Sequence, residues 1–327
     1  MGIRTWHRPL LLVAALMIGS LVLSTGGLLL DDRTLNGEPI WLKPFKFSVS
    51  VGIYSFTLAW LISLLRERRR FAWRLGTVST VVLTVEMVII IGQAFRGRAS
   101  HFNNVTDLDA TLYRLMGVSI VVLWVVSLVV AVLVLRQRFA EPSVLWAIRI
   151  GIGLAVVGMT VAFLMTIPTP DQLAAMRAGT RPSMIGAHSV GTPSEAAAAM
   201  PITHWNLEGG DLRVPHFFGL HALQAMPLLA LALRRFTSLD QAVRTRLVVV
   251  VGAGYAGWEL LVTWQALRGQ PLVAPDTLTL TAVGVIIAAV AGGVALVLRS
   301  PAQTKDAEHT QIGAPGILPA QTGSGGI

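Results

Sequence analysis

Apolar positions along this chain follow neither the alternation of a half-buried strand nor the stripe of an amphipathic helix. They come in long unbroken runs separated by short polar connections. Eight runs, near 9–30, 45–65, 73–95, 110–135, 144–167, 216–233, 243–267 and 278–298, are each long enough to cross a hydrocarbon core. That core is about 30 Å thick and takes roughly 20 helical residues. A helix satisfies its own backbone hydrogen bonds inside lipid, and no ten-residue alternating barrel segments occur. The pattern predicts an all-α, polytopic integral membrane bundle of eight spans.

Composition agrees. The 327 residues are 54% hydrophobic and 13% charged, where a soluble domain carries about 25% charged residues. The absence of cysteine excludes disulfides, thiolate metal sites and cysteine nucleophiles. The net charge of +9 invites a nucleic-acid reading until its distribution is examined. With the N-terminus in the cytoplasm, the inner connections hold 16 of the 26 basic residues, among them Arg4, Arg8, the run "RERRR" (66–70), Arg138 and Lys305. The inner face then carries +11 and the outer face balances to zero. The basicity is a topology signal, N-in and C-in, and gives no support to nucleic-acid binding. The first run has the basic start of a signal peptide, but its length of about 20 residues reads as a retained span.

An internal echo suggests duplication. "QAFRG" (93–97) ends the third run and "QALRG" (265–269) the seventh, while "LKPFKF" (42–47) opens the second and "VPHFF" (214–218) the sixth. Pro44 lies 49 residues before Gln93, and Pro215 lies 50 before Gln265. This predicts two four-helix halves in parallel orientation, 1–139 and 140–300. The competing explanation is that Gln, Arg and Gly commonly finish helices. The halves differ in the outer connection 168–215, which is rich in Pro, Gly, Ser and Ala and has one short helical pattern at 171–179. Such a loop is a functional lid or disordered. The tail 301–327 reads as a disordered cytoplasmic segment.

Polar residues that topology does not explain gather at the outer ends of the spans. Lys43, Lys46, Gln93, Arg96, His101, Asn103, His188, His204, Arg213, His216, His221, Gln224 and Arg268 all fall there. Phe217, His221 and Gln224 are spaced to share one helix face. His216 lies about 140° around from His221 and roughly 7.5 Å higher, so one helix does not bring both onto one metal. No metal site is assigned, and a bis-histidine haem lacks its second in-span imidazole. No cofactor follows from the residues. Glu86, in the middle of the third run, is costly in lipid as an isolated carboxylate and marks a bundle interior or a pathway. Glu259 is its near-counterpart, one residue out of register. Arg96, Arg213, Arg268, Lys43 and Lys46 together suit a phosphate or carboxylate, with internal salt bridges to the neighbouring acids as the alternative use. "TDLD" (106–109) has capping-box spacing with Asp in place of Glu.

The combination "LKPFKF", "RGRASHFN" and "GDLRVPHFFGLHALQ" resembles a family of bacterial polytopic membrane proteins without an established activity. That resemblance implies a bacterial cytoplasmic membrane. Separately, "RVPHF" (213–217) is similar to the basic-x-x-His-Phe element of VanZ-like envelope proteins, although Asp211 stands one position too early. It would transfer interest only to Arg213 and His216. The residues themselves leave three readings open. The first is an envelope-facing enzyme or binding protein for a lipid-linked or anionic small molecule. In it Glu86, His216 and His221 handle protons, and Lys46, Gln93, Arg96, His101, Asn103, Arg213, Gln224, Glu259 and Arg268 line an outward pocket. The second is a transporter with Glu86 and Glu259 at its centre. The third is an accessory subunit whose polar groups only join helices. The oligomeric state is left open.

Overall fold

A computed structural model describes residues 5–35, 37–137, 141–192 and 198–299. The expected tail, and Arg4, Arg138 and Lys305, lie outside the described residues. Eight helices are long and apolar enough to cross a membrane. They are α1 (Arg8–Leu30), α2 (Leu42–Leu64), α3 (Arg69–Phe95), α4 (Asp107–Leu135), α5 (Pro142–Leu164), α7 (Arg213–Phe236), α8 (Gln241–Leu267) and α9 (Thr277–Arg299). Each matches one expected run to within a few residues. The extra residues lie mostly at helix ends, where polar caps extend the helix past its apolar stretch. The short α6 (Pro170–Arg177) fills the helical pattern of the long loop, held by a Thr169–Gln172 capping box.

Helix ends follow local chemistry. His7 caps α1 by accepting from the Leu10 amide through Nδ1, while its Nε2 sits 2.9 Å from the Trp73 carbonyl of α3. Asp240 caps α8 by accepting from the Val243 amide. Thr106 accepts from the Asp109 amide as "TDLD" suggests, but the box is not completed in the usual way. The Asp109 carboxylate turns to the Thr106 hydroxyl, Gln93 and Arg96 instead of the Thr106 backbone.

The helices fall into two groups with the same neighbour relations. In the first, α1 lies on α2 and α3, α2 on α3, and α3 on α4; in the second, α5 lies on α7 and α8, α7 on α8, and α8 on α9. The tightest crossing in each group is made by small residues, which let backbones approach where lipid gives no hydrophobic drive. Ser20 bonds Ser48 at 2.7 Å between α1 and α2. Gly158 and Gly219 meet between α5 and α7, where a Cβ built on Gly158 would stand 2.7 Å from the Gly219 Cα. The groups join where α4 packs on α5.

Two antiparallel ribbons cover one end of the bundle. β1 (Thr34–Leu35) pairs with β2 (Glu38–Pro39) just before α2. β3 (Ser189–Val190) pairs with β4 (Gly210–Asp211) just before α7. The described parts of the long connection, called the lid below for their position only, thus lie against this end of the bundle, and Asn103 of the α3–α4 connection bridges to Met184.

The orientation expected from the charge distribution has a direct test. Ser183 and Ser238 are exposed in connections at opposite ends of the spans. In this cysteine-free chain, single cysteines at the two positions are expected to label from opposite sides, with a membrane-impermeant maleimide on intact cells reaching only position 183. Labelling of both positions would overturn the N-in arrangement.

Candidate functional site

The end of α3 shows how an expected ligand-binding residue is used up locally. Gln93 is buried and donates from Nε2 to the Ala99 carbonyl at 3.2 Å and to Asp109 Oδ1 at 3.0 Å. Arg96 bonds the Gln93 side-chain oxygen and forms an ion pair with Asp109 at 3.0 Å. The end of α8 repeats the arrangement. Gln265 donates to the Pro271 carbonyl at 2.8 Å, and Arg268 pairs with Asp276 at 2.6 Å while stacking over Trp264. Gly97 and Gly269 take the left-handed conformation, φ 69° and 73°, that closes each helix. Asn103 donates to the Ala99 carbonyl and accepts from the Val105 amide. Gln93, Arg96, Asn103 and Arg268 thus hold helix ends and turns together.

Other residues at this end of the bundle converge. Lys46, in the first turns of α2, lies 3.5 Å from Glu38 and donates to the Thr203 carbonyl at 3.3 Å. Arg213, opening α7, lies 3.4 Å from the same Glu38 and bonds the His204 carbonyl. Its ion pair to buried Asp211 is closer, at 2.6 Å. His204 Nδ1 is 3.8 Å from Glu38. Glu38 therefore ties α2, α7 and the lid into one cluster. Sequence reading did not single it out, and its place two residues before the "IWLKPFKF" segment is a weak signal.

His101 stacks at 5.4 Å on Phe47, and His188 at 5.2 Å on Phe102. Both imidazoles are held well below their ordinary pKa by burial first, and then by nearby cations: Lys43 for His101, and Arg213, Lys43 and Lys46 for His188. Both are neutral near pH 7. His188 Nδ1 is buried with no partner. Burial likewise lowers His204, against the opposing pull of Glu38.

Lys46 and Arg213 are matched by Glu38 and Asp211. Lys43, half-buried one turn before Lys46, makes no hydrogen bond or ion pair among the described residues. Its charge is felt by His101, His188 and Glu86. Glu86 lies deeper, 2% exposed, with both carboxylate oxygens unpartnered. The cluster brings together three basic side chains, histidines held neutral near pH 7 and, on α3, the Glu86 carboxylate without hydrogen-bond partners.

The remaining expected residues lie elsewhere. His216 points away from the cluster, its Nδ1 donating to the Gly158 carbonyl of α5 at 2.8 Å. Glu259 is buried with both oxygens unpartnered, against Gly219 at the α5–α7–α8 junction. His221 rests on Phe217 at 4.4 Å, and Gln224 donates to Thr57 of α2 at 3.0 Å. No hydrogen bond or ion pair joins Glu86 to His221, His216 or Glu259 among the described residues. The same residues contain no group of three or more His, Asp or Glu able to hold a metal ion. Comparison with known families, curated proteins and solved structures returned no match.

Proposed function

We propose that this integral membrane protein binds an anion at an extracytoplasmic site centred on Lys43, Lys46 and Arg213, as an envelope enzyme or binding protein. The observation that carries the reading is the uncommitted Lys43 ammonium beside two neutral histidines. A half-buried ammonium with no hydrogen-bond or ion-pair partner has Glu38 and Glu86 acting on it only through space, and an anionic ligand beside it would favour its charged form directly. Arg213 adds planar paired donors and Lys46 a second point charge. Of the five cations expected to share this task, Arg96 and Arg268 are spent on Asp109 and Asp276. In the enzyme form of the reading, Glu86 is the proton-handling group, because both its oxygens lack partners and it interacts electrostatically with Lys43. The similarity of "RVPHF" to VanZ-like proteins favours Arg213, while His216 serves the α5–α7 contact.

The matching neighbour relations, the paired Gln–carbonyl locks six residues apart and the paired left-handed glycines support two duplicated halves in parallel orientation. The transporter reading is less well supported. Glu86 and Glu259 sit in separate halves, and the small void of about 30 Å³ between α2, α4, α5 and α7 is lined by Leu58, Val130, Ile152, Leu220 and other mainly apolar residues.

Thermal unfolding of the purified protein against inorganic phosphate and pyrophosphate tests the reading. A ligand at a hundredfold excess over its Kd stabilises by about 2.7 kcal/mol, so Tm is expected to rise with ligand concentration. Lys43→Gln is expected to abolish the rise while leaving the ligand-free Tm within about a degree or two, because no contact of the folded state is lost. An unchanged response in Lys43→Gln would remove this centre from consideration.

A further inference from the structure

Helices α2 and α7 run side by side from the outer face inward, bridged by side chains instead of packed backbone to backbone. The bridges lie at two levels. At the outer level Glu38 joins Lys46 and Arg213. At the inner level Gln224 donates to Thr57. Lys46 to Thr57 and Arg213 to Gln224 are each eleven residues, so the levels are separated by the same three turns on both helices, roughly 16 Å.

Between the levels the side chains in line with the bridges do not close on one another. On α2, Val49 and Ile53, two turns and one turn above Thr57, are each 39% exposed. On α7, Phe217, one turn below Arg213, is 44% exposed, and His221 is half-buried against it. The outer end of this seam is lined by basic side chains, its walls are apolar and aromatic, and its floor is the Gln224 amide, bonded to Thr57. Trp205 of the lid packs at 5.7 Å on Phe217 and so roofs the α7 wall, with an aromatic type that is enriched at membrane–water interfaces.

From this juxtaposition we infer that the ligand is a phosphate-bearing lipid, its headgroup seated at Lys43, Lys46 and Arg213 and its chain laid in the α2–α7 seam. The inference rests on the anion-binding reading above and adds the source of the anion. A soluble anion needs only the cationic end. The seam is what a chain arriving sideways from the outer leaflet uses, and its length accommodates about a dozen methylene groups at roughly 1.3 Å each. Charge complementarity selects the occupant. A zwitterionic or neutral lipid leaves the Lys43 charge unmatched. His221, set along the chain path and away from Glu86, is then a wall residue.

Equilibrium binding to the purified full-length protein in detergent separates the two claims. The probes are long-chain phosphatidic acid, its water-soluble dibutyryl analogue, and diacylglycerol of matched chain length. Long-chain phosphatidic acid is expected to bind at least tenfold more tightly than the dibutyryl form, and diacylglycerol is expected not to compete. Lys43→Gln weakens both phosphatidic acids about tenfold or more. Ile53→Trp, which fills the seam from an exposed position, weakens the long-chain form alone. Val49→Trp serves the same purpose should Ile53→Trp lower the Tm. Equal affinity for the two chain lengths, or indifference of long-chain binding to both tryptophans, overturns the lipid inference and leaves the anion reading standing. Failure of both phosphatidic acids to bind overturns both.

Discussion

Gly219→Val is expected to give a protein that inserts but does not hold α7 against α5, with folded yield in mild detergent falling several-fold. A Cβ at position 219 would stand 2.4 Å from Glu259 Oε1 and 2.5 Å from the Gly158 Cα. The first contact can be relieved by a side-chain rotation; the second cannot, because it is backbone. Overpacking of this kind costs about 1–3 kcal/mol when neighbours can yield, and more when two helices must separate. The α5–α7 contact is the most extensive helix pairing in the molecule, and His216 adds its hydrogen bond to Gly158 in the same place. Gly158→Val is expected to behave alike. Gly92→Ala is the control, since nothing lies within 4 Å of the added carbon. Alanine there is expected to be neutral or to stabilise by up to about 1 kcal/mol through helix propensity. Size-exclusion profiles and thermal unfolding read all three. A Gly219→Val protein as stable as Gly92→Ala would show that the α5–α7 contact is not what holds the second half together.

Asp211→Ala is expected to release the lid and lower thermal stability by about 1–3 kcal/mol, the usual cost of leaving buried hydrogen-bond donors without their acceptor. Asp211 is 2% exposed and accepts from the amides of Asn206 and Arg213 and from the Arg213 guanidinium. Removing it strands those donors and leaves Arg213 to the longer contact with Glu38, at 3.4 Å. The register of β4 on β3 then loses its inner anchor, so limited proteolysis of the segment 189–210 is expected to accelerate. Asp211→Asn keeps an acceptor oxygen and loses the charge, and is expected to fall between the two. Protease resistance and Tm unchanged in Asp211→Ala would mean that the lid is held by its backbone pairing alone. Because Arg213 also belongs to the cationic centre, phosphate binding is expected to weaken in parallel with lid release.

The residues that sequence placed well and those it misplaced differ in the range of the interactions that fix them. That Lys46, His101 and Arg213 share one end of the bundle was readable from their position relative to the spans, and the structure does bring these three together. Arg96 and Arg268 looked equally available, because nothing local says that Asp109, thirteen residues on, and Asp276, eight residues on, will turn back to meet them. Glu38 meets Arg213 across 175 residues of chain. No spacing rule reaches that far.

By itself the sequence determined the class of fold and the number and limits of the spans. Lipid offers the backbone no hydrogen bonds, so every crossing must be a helix of about 20 apolar residues, and that demand is written locally. Helix ends were legible for the same reason, since a cap is chosen within three or four residues. Tertiary structure alone decided which cations are paired, and that Glu86 is buried without partners on α3 while Glu259 is buried against Gly219 of α7. It also decided that His216 serves a helix contact and that α2 and α7 leave a seam between two levels of bridging. Those outcomes depend on distances between residues far apart in the chain, which packing sets and periodicity does not encode.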